Sequence, residues 1–498
     1  MPASNTSESA GYARAGGGRI SADLALLILA LAWGSVLRFE ALGARELSAD
    51  EAASWASAAA PTAARVISLQ MGLNPGKLPL HDLLLHAWIT LSGDGLFAMR
   101  ALSALCGVVA IGLVYLAAAE LLQDSKGSRT EAALERAAPT SGFAALLFAL
   151  SLITIKYSRE ARMYSLLLVA ELVQVVLFVR VQRAPKLASW SALALFTALS
   201  LAANFSAAFL LGAEAVYLLL IFRPSRVATR EAGEPRALYA ALALVAGVLL
   251  LLPMAWGAFG AAIDAARTGA LQWIARPALW EPLAIFNKAT GTFAFPIIAL
   301  AAAAGALGAG RWRRAEIRFL LGWMWAPVLI MFAFSLLIRP VFVERYVLSS
   351  FVPFLILAAV GIAAIDSARA RFSAAALCLA LTLGHVYAYG LRPHDAQWRE
   401  ATAIALSSAR PAGAIAVAPA YAVNVVCYYS AAPAHSRVVS NPRLVPASIG
   451  HIAGAVANEP AVLVLGDQGV AVSERARLTA SFPHLLSRLR GVEVRLRR

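Results

Sequence analysis

Long apolar runs are the feature that most constrains how this chain can fold. Stretches of about twenty apolar residues recur along most of its 498 residues, and runs of that length can cross a bilayer as helices. In total, 60% of the residues are hydrophobic and only 14% are charged. In lipid, a backbone satisfies its own polar groups only as a helix or a closed barrel. The sequence therefore predicts an all-α polytopic membrane protein.

The apolar runs define eleven candidate membrane spans. They lie at about 21–42, 98–122, 141–157, 164–182, 189–205, 207–222, 237–256, 283–309, 319–338, 347–366 and 373–391. A further apolar segment, 78–91, reaches only roughly 21 Å as a helix, against a hydrocarbon core of about 30 Å. We expect it to be a non-crossing interfacial helix in the first outer loop.

The distribution of positive charge sets the predicted orientation. If 78–91 does not cross and the N-terminus is cytoplasmic, the cytoplasmic segments carry 18 Lys or Arg residues, in 1–20, 123–140, 180–189, 223–236, 310–318 and 367–372. This agrees with the excess of Lys and Arg on the cytoplasmic side of membrane proteins. It also accounts for the net charge of +15 without a nucleic-acid partner. The predicted outer segments are 43–97, 157–163, 257–282, 339–346 and 392–498.

The chain divides into three predicted regions. Residues 1–20 form a disordered cytoplasmic tail, 21–391 a transmembrane domain, and 392–498 a small extracytoplasmic α/β domain with a mainly parallel sheet. In the last region the predicted helices are 398–409, 422–430, 447–458 and 472–482, and the predicted strands are 413–418, 437–440, 461–467 and 492–497. It contains no Gly-rich phosphate loop and no nucleophile elbow, which favours a lid or docking module without chemistry.

Three clusters of ionisable residues lie in the predicted outer segments. They comprise Asp50 and Glu51 with Lys77, His81 and His86 in one loop, then Arg159, Glu160, Arg162 and Tyr164, then Glu344, Arg345 and Tyr346. Taken singly, each has a plain explanation, since acids favour a helix start and Lys, Arg and Tyr anchor at membrane interfaces. Anchoring explains Glu160 and Glu344 poorly, because acids gain nothing from anionic lipid. Their common face favours one shared site.

Such a site suits transfer from a phosphate-bearing lipid. Arginine and lysine bind phosphate oxygens and stabilise the charge of a departing phosphate. A carboxylate removes the proton from an attacking hydroxyl. Asp50 is the better candidate for that base because it lies in a short loop beside the spans. Glu51 has three alternative roles: it orients Asp50, pairs with an arginine or faces water.

The three clusters resemble motifs of the integral-membrane GT-C glycosyltransferases that use polyprenyl-phosphate sugars. The nearest branch is the RgtA/B/C/D-like and protein-mannosyltransferase-like family, which is related to the lipid A aminoarabinose transferase. Residues 49–52 (ADEA) are similar to its first-loop motif, and 158–165 (SREARMYS) to its SxEARMYS signature, the most specific of the matches. Residues 78–88, 97–102, 344–346 and 398–400 are similar to later family segments. The likeness covers roughly residues 20–400.

The resemblance implies a fold, an activity and a set of site residues. It implies an inverting glycosyltransferase of the bacterial cytoplasmic (inner) membrane that moves a hexosyl or pentosyl group from a polyprenyl-phosphate donor. The acceptor hydroxyl would belong to an envelope glycolipid, a polysaccharide or a protein. Implied catalytic residues are Asp50, Glu51 and Glu160, implied phosphate contacts are Lys77, Arg159, Arg162 and Arg345, and implied substrate contacts are Tyr164, His81, His86, Glu344 and Tyr346.

Metal dependence and two other functions stay open at this point. The sequence has no Cys/His metal spacing, and a divalent cation bridging Asp50 and Glu160 is a hypothesis. It is weakened because the turn where relatives carry a histidine reads Asn-Phe-Ser at 204–206. The alternatives are a lipid-linked-sugar flippase or transporter and a non-catalytic membrane scaffold. Transport would favour polar residues at mid-membrane depth and internal repeats, whereas these spans are mainly Ala, Leu and Val.

Overall fold

The structure is a computed structural model, and the residues it describes fall into several ranges. These are 21–74, 77–122, 139–184, 186–222, 234–267, 274–390, 396–409, 414–430, 444–446, 461–468, 470 and 472–497. The predicted cytoplasmic tail 1–20, the predicted strand 437–440 and the predicted helix 447–458 lie outside the described residues.

Helices make up most of the described chain. The α-helices before the second half of the membrane region are α1 (Ala22–Phe39), α2 (Ala49–Ala58), α3 (Ala63–Leu73), α4 (Leu80–Ser92), α5 (Leu96–Leu122), α6 (Thr140–Leu150), α7 (Leu152–Ser158), α8 (Tyr164–Arg183), α9 (Leu187–Ala203) and α10 (Ala208–Phe222). They are followed by α11 (Glu234–Arg267), α12 (Glu281–Ala284), α13 (Asn287–Thr290), α14 (Phe295–Leu307), α15 (Ala315–Leu337), α16 (Phe351–Ala363), α17 (Ala368–Gly390), α18 (Trp398–Ser408), α19 (Val423–Ser430) and α20 (Val472–Ser481). Short 3₁₀ helices include Glu344–Tyr346 and Leu348–Ser350.

The helices confirm a multi-pass membrane protein but do not confirm eleven crossings. Seven helices in the described ranges are long and apolar enough to cross a membrane, and α6 with α7 would make an eighth as a bent pair. Three shorter apolar helices lie at Leu187–Ala203, Phe205–Leu219 and Leu348–Ala363. Each predicted span overlaps an apolar helix, and the number of crossings stays a prediction. So does the non-crossing placement of 78–91, which forms α4.

A buried arginine lies at the break between α6 and α7. The axes of these two helices differ by 60°. Arg38 of α1 is fully buried and donates to the carbonyl of Ala149 at 3.0 Å and to Thr154 Oγ1 at 3.2 Å. A break leaves helix-end carbonyls without intrahelical partners, and a buried donor satisfies them. The hydrogen bonds of Arg38 therefore stabilise the bend. Residues 159–163 follow α7 directly.

The loop between α1 and α5 folds into three short helices. α2 begins with a capping box, in which Ser48 Oγ accepts from the N–H of Glu51 and the Glu51 carboxylate accepts from the N–H of Ser48. α2 and α4 pack through a buried apolar cluster that includes Leu47, Trp55 and Leu85. The apolar side chains of α4 pack in this cluster. This packing explains why α4 is apolar although it is shorter than a membrane span. The loop is a compact unit that carries Asp50 on its first turn.

The C-terminal region is an α/β unit, as predicted, but its sheet is mixed. Its strands are β1 (Ala414–Ala418), β2 (Leu444–Pro446), β3 (Ala461–Gly466), β4 (His484–Leu489) and β5 (Val492–Arg497). In the described residues they form one sheet of order β2-β1-β3-β5-β4, in which β1 pairs parallel with β2 and β3, and β5 pairs antiparallel with β3 and β4. The prediction of a mainly parallel sheet was therefore wrong.

The error came from the last hairpin. β4 was missed because the sequence HLLSRL has no β-branched residue and does not alternate cleanly between apolar and polar. The usable signal was Gly491, whose φ of 74° allows the tight turn into β5. The ends of the other helices and strands also differ from the predicted ends by a few residues, since such ends are the least certain part of a sequence prediction.

Close packing of α14 against α16 depends on two glycines. A Cβ at Gly361 would overlap the carbonyl oxygen of Ala301, and a Cβ at Gly305 would overlap the carbonyl oxygen of Leu357. Small residues let two membrane helices approach until their backbones touch. α16 follows the 344–346 segment after the short 3₁₀ helix Leu348–Ser350, so this contact positions the helix to which that segment leads.

We expect Gly361→Ala to destabilise the folded protein by about 1–3 kcal/mol, because the added methyl group must push α14 away. The measurement is thermal unfolding in detergent. The matched control is Gly322→Ala in α15, where an added Cβ meets nothing within 4 Å. Equal unfolding temperatures for the two variants would contradict the packing described here.

Candidate active site

Glu51 and Arg100 form a buried ion pair beneath the site. Their side chains are 2% and 3% exposed, and Arg100 donates from Nε to Oε1 at 2.7 Å and from Nη2 to Oε2 at 2.9 Å. The N–H of Ala161 also donates to Glu51 Oε1, at 2.9 Å. Burial alone would raise the pKa of Glu51, but Arg100 outweighs it and holds that pKa below its usual value. Glu51 thus links the loop between α1 and α5 to the 159–163 segment.

Arg100 extends this link to the chain entering α2. Its Nη1 donates to the carbonyls of Leu42 at 3.0 Å and Arg45 at 2.9 Å, and its Nη2 donates to the carbonyl of Glu46 at 2.9 Å. Both carboxylate oxygens of Glu51 are already engaged. The predicted catalytic role of Glu51 therefore fits the geometry poorly, and pairing with an arginine, one of its three alternatives, describes what it does.

Asp50 faces the opposite way from its neighbour. Its side chain is 52% exposed, and its Oδ2 accepts from Arg345 Nη1 at 2.7 Å. Burial would raise its pKa, but the charges of Arg162 and then Arg345 outweigh burial, so the pKa of Asp50 lies below its usual value. The structure thus brings together residues from the first and third clusters predicted from the sequence. Asp50 is an accessible, ionised carboxylate surrounded by cations.

Arg162 is a buried cation directly behind Asp50. Its side chain is 6% exposed, and its Nη1 donates to the Asp50 carbonyl at 2.7 Å, Ser54 Oγ at 3.0 Å and Asn74 Oδ1 at 3.0 Å. Within the described ranges, its Nε has no hydrogen-bond partner. A buried guanidinium with a donor left over is suited to an anionic ligand.

Lys77 lies in a buried group with two residues of α4. Its Nζ is 3.0 Å from Asp82 Oδ2, and His81 Nδ1 is 3.1 Å from Asp82 Oδ1. Burial lowers the pKa of Lys77 to about 8, although Asp82 acts in the other direction. Asp50 is within electrostatic range of Lys77, so the predicted phosphate contact is near the site. However, Lys77 would have to leave Asp82 to touch a phosphate, and His81 is engaged by the same carboxylate.

Three other predicted substrate contacts have mainly packing partners. His86 Nδ1 lies 2.8 Å from the carbonyl oxygen of Ala58, and so ties α4 to α2. Tyr164 is buried against the ring of Tyr157, with 4.7 Å between ring centroids. Tyr346 lies beneath the guanidinium of Arg345, 5.4 Å from the ring centroid. Tyr346 thus contacts a residue that touches Asp50, and Tyr164 lies within electrostatic range of Arg162, Arg345 and Asp50.

Glu160 and Glu344 flank the site with different charges. Burial, and next the Glu51 carboxylate, raise the pKa of Glu160 to about 7. Glu344 Oε1 lies 3.4 Å from Lys156 Nζ. Burial would raise the pKa of Glu344, but Lys156 outweighs it and lowers that pKa. Glu160 therefore holds a proton near neutral pH, whereas Glu344 is ionised.

Arg159 and Arg162, both predicted to bind the donor phosphate, have different partners. Arg159 Nη1 donates to the carbonyl of Leu37 in α1 at 2.7 Å, whereas Arg162 Nη1 donates to the carbonyl of Asp50. Residues 159–163 lie between α7 and α8 and are not helical. A contact of Arg159 with the donor phosphate stays a prediction.

The C-terminal unit covers the helix that carries Asp50. The hydroxyl of Tyr429 accepts from the N–H of Leu47 at 2.8 Å, and the hydroxyl of Tyr428 donates to the Asp94 carbonyl at 3.1 Å. The ring of Tyr428 packs edge-on against Trp55, with centroids 5.1 Å apart. α19 thus packs on α2 and supports the predicted role of a docking module.

Sequence reasoning missed several residues that shape the site. The sequence offered one signal for Arg100, because it is an arginine near the start of an otherwise apolar span. Asn74, which accepts from Arg162, and the tyrosine pair at 428 and 429 carried none, because their partners are far away in sequence.

The charges around Asp50 and Glu160 fit a divalent cation poorly. Asp50 Oδ2 is bound to Arg345, and Arg162 lies beside both carboxylates. In the part of the chain that the structure describes, no group of three His, Cys, Asp or Glu side chains could hold a metal ion. The bridging cation stays a prediction that the surrounding positive charge disfavours.

Comparison with solved structures identifies the fold. The structure is similar to the crystal structure of ArnT from Cupriavidus metallidurans in the apo state, with a TM-score of 0.61 and 15% identity, covering 96% of this chain and 98% of that one. ArnT bound to undecaprenyl phosphate gives a TM-score of 0.60 and 14% identity over 95% of this chain and 98% of that one. Both are structures of a GT-C protein. This chain has the GT-C fold.

A more distant GT-C structure agrees. The Archaeoglobus fulgidus oligosaccharyltransferase in the apo form has a TM-score of 0.55 and 12% identity, covering 81% of this chain and 63% of that one. No protein-family model matches the sequence, and no curated protein sequence matches it significantly. The expected GT-C fold is thus confirmed, and the roles of single residues rest on the geometry above.

We expect Glu51→Gln to reduce stability by about 3–5 kcal/mol, because it leaves the Arg100 charge buried without its counter-ion. Thermal unfolding and the yield of folded protein in detergent measure this loss. Asp50→Asn is the matched control, since it changes the adjacent carboxylate at a half-exposed position. A Glu51→Gln variant as stable as Asp50→Asn would show that the ion pair does not hold the loop.

Glu160 should make stability fall with rising pH. Its folded-state pKa of about 7 lies above the usual value of 4.5, so its contribution is fully present below about pH 4.5 and is lost as the pH rises through about 7. We expect the unfolding temperature of the unaltered protein to fall more steeply between pH 5 and 8 than that of Glu160→Gln. Parallel pH curves for the two proteins would contradict a buried, protonated Glu160.

Proposed function

We propose that the chain is an inverting glycosyltransferase that moves a sugar from a polyprenyl-phosphate donor to an acceptor hydroxyl. The observation that carries this proposal is Asp50, a half-exposed carboxylate held by Arg345 and backed by Arg162, in a chain with the GT-C fold. A base and a set of cations in one place are what this transfer requires, because the hydroxyl loses a proton while the phosphate gains charge.

Cations beside Asp50 support a phosphate-bearing donor. ArnT, which shares the fold, has been crystallised with undecaprenyl phosphate. In this chain the buried Arg162 is the strongest phosphate candidate, since its Nε has no partner among the described residues. Arg345 and Lys77 are further candidates, and each would exchange a carboxylate partner for the phosphate. The exchange replaces one charge-assisted contact with another.

Asp50 is the proposed base. It is ionised at neutral pH because its pKa is lowered. The acceptor oxygen forms a bond to C1 of the sugar as its proton passes to Asp50, and the bond from C1 to the phosphate oxygen breaks. The leaving group is polyprenyl phosphate, and a single displacement of this kind inverts the anomeric carbon. The adjacent Glu51 acts as a positioning residue through its bonds to Arg100 and to Ala161.

The proposed location is the outer face of the bacterial cytoplasmic membrane. The positive charge of the inner loops supports this orientation. The proposed acceptor classes are a glycolipid, a polysaccharide or a protein, and an Archaeoglobus oligosaccharyltransferase of the same fold has been crystallised with a tethered acceptor peptide. The donor and the bilayer are the other partners, with no role for nucleic acid.

The test is sugar release from a radiolabelled undecaprenyl-phosphate sugar by purified protein in liposomes that contain envelope lipid extract. We expect Asp50→Asn to lower the rate at least about 100-fold, because the attacking hydroxyl loses its base. Glu46→Gln, in the same loop, is the matched control and should keep the rate. Circular dichroism and thermal unfolding must be unchanged in both variants.

Three outcomes separate the alternatives. Loss of sugar release in Asp50→Asn alone supports the glycosyltransferase. Labelled donor that crosses the liposome membrane intact would support a flippase instead. If no sugar is released and no donor crosses the membrane with any envelope extract, the proposed activity is overturned and the scaffold function is favoured.

A further inference from the structure

Asp82 is a fully buried carboxylate to which the proposed reaction gives no role. It lies in the first turn of α4, and its side chain is 0% exposed. Lys77 Nζ lies 3.0 Å from Asp82 Oδ2 and 3.2 Å from Oδ1, and His81 Nδ1 lies 3.1 Å from Oδ1. A buried carboxylate is stable only while a cation balances its charge. In the free protein that cation is Lys77.

His81 is neutral in this arrangement. An ionised carboxylate only accepts hydrogen bonds, so His81 Nδ1 carries the hydrogen that points to Asp82, and Nε2 is the basic nitrogen. Burial lowers the pKa of His81 below its usual value of 6.5, although Asp82 acts in the other direction. Among the described residues, His81 Nε2 is buried and has no hydrogen-bond partner. His81 can therefore gain a proton without losing a bond that it already makes.

The charges that act on His81 come from three parts of the fold. They belong to Asp82 of α4, Lys77 in the segment before α4, and Arg162 between α7 and α8. The two cations oppose a proton on His81, and Asp82 favours it. From α2, Asp50 acts on Lys77. A negative group that arrives beside the two cations shifts this balance towards a charged His81.

The other elements packed against α4 contribute uncharged or paired side chains here. From α3, the buried Gln70 donates to the carbonyl of Lys77 at 3.0 Å and so holds the backbone at that residue. Glu51 of α2 and Arg100 of α5 are paired with each other. A change of partner at Lys77 therefore concerns its side chain alone.

We propose that His81 takes up a proton when the donor phosphate binds, and so replaces Lys77 as the partner of Asp82. The proton comes from solvent and adds to Nε2, which gives the imidazolium form, while Nδ1 keeps its hydrogen bond to Asp82. Lys77 then directs its whole charge at the phosphate. His81 and Asp82 are thus positioning residues that act through Lys77. This inference rests on the proposed function, in which Lys77 exchanges its carboxylate partner for the phosphate.

The charge of Asp82 is the reason for the proton. If His81 stayed neutral, Lys77 would either leave Asp82 without a counter-ion or divide its charge between two anions. Loss of one partner from a buried ion pair is strongly destabilising. Imidazole is more basic than a carboxylate, so the proton goes to His81 rather than to Asp82. An undivided charge on Lys77 also stabilises the phosphate better as it departs with more negative charge.

The donor should consequently bind more tightly at lower pH. A ligand that raises the pKa of a group takes up protons as it binds, and uptake of one proton lowers the affinity about tenfold for each unit rise in pH. Above the usual value of 6.5 the imidazole of the free protein is neutral, so His81 supplies this uptake. Between pH 6.5 and 7.5 Lys77 keeps its charge, because its pKa is about 8.

Isothermal titration calorimetry counts the protons. The protein in detergent micelles is titrated at pH 7 with undecaprenyl methyl phosphate, a phosphodiester whose own charge is constant near neutral pH, in PIPES and again in Tris. These buffers differ in protonation enthalpy, so the difference between the two binding enthalpies gives the number of protons taken up. We expect about 0.5 to 1 proton per bound lipid, and an affinity about three- to tenfold lower at pH 7.5 than at pH 6.5.

Replacement of His81 by asparagine separates the proton from the hydrogen bond. His81→Asn keeps a side-chain N–H near the position of Nδ1 and so can still donate to Asp82, but it cannot gain a proton. We expect uptake of less than about 0.1 proton and an affinity that changes less than about twofold between pH 6.5 and 7.5. His86→Asn is the matched control on the same helix, where Nδ1 contacts the carbonyl of Ala58, and should keep the uptake.

Glu160 is the other group near the site that titrates at neutral pH, since its pKa is about 7. Glu160→Gln should therefore keep the uptake. If Glu160→Gln loses it and His81→Asn keeps it, the proton belongs to Glu160 and the proposal is overturned. An unaltered protein that binds the lipid without proton uptake overturns the proposal as well, and that result does not depend on the folding of any variant.

Failure of the proposed function gives a different result. If the phosphodiester does not bind at either pH, the lipid-phosphate donor is wrong, and the role of His81 falls with it. If the phosphodiester binds without proton uptake, only the role of His81 is removed, and the glycosyltransferase proposal stands.

Discussion

The buried ion pair between Glu51 and Arg100 is the interaction on which the site depends. In a region of low dielectric, an isolated charge is costly, so each member of the pair is stable only while the other is in place. The remaining hydrogen bonds of both side chains go to Ser48, to backbone carbonyls of the first loop and to the N–H of Ala161. One pair therefore joins the end of α1, the start of α2, the start of α5 and the 159–163 segment. No apolar contact could fix these four pieces with comparable directionality.

Two adjacent acids consequently have opposite roles. On the first turn of α2, Glu51 points into the protein to Arg100, and Asp50 points out to Arg345. Successive residues of a helix are about 100° apart around its axis, so anchoring one acid inside places the other outside. The bonds from Arg100 and Ala161 offset the cost of burying Glu51. Asp50 is therefore attached to a helix turn that is firmly held. A reactive carboxylate on a loop keeps one position only if the residues around it are themselves held by hydrogen bonds, as Glu51 is here.

The arginines around the site have different partners. Arg162 and Arg345 contact Asp50, whereas Arg159 contacts α1. The short turn between α7 and α8 makes this division possible, because residues 159–163 are not a continuous helix with one charged face. The 60° bend before α7, supported by Arg38, aims that turn at the first loop. This bend and the turn after α7 thus decide which partner each arginine meets.

The sequence by itself determined the apolar helices, their order and the identity of most charged residues at the site. Apolar runs and the positions of Lys and Arg are local properties, so the helices, their order and the clusters at Asp50, Arg162 and Arg345 could be read from it. Only the tertiary structure decided the partners. Arg100 with Glu51, Tyr428 with Trp55 and the separation of Arg159 join residues distant in sequence or depend on a local bend. No periodicity encodes such contacts, because they arise only when the helices pack.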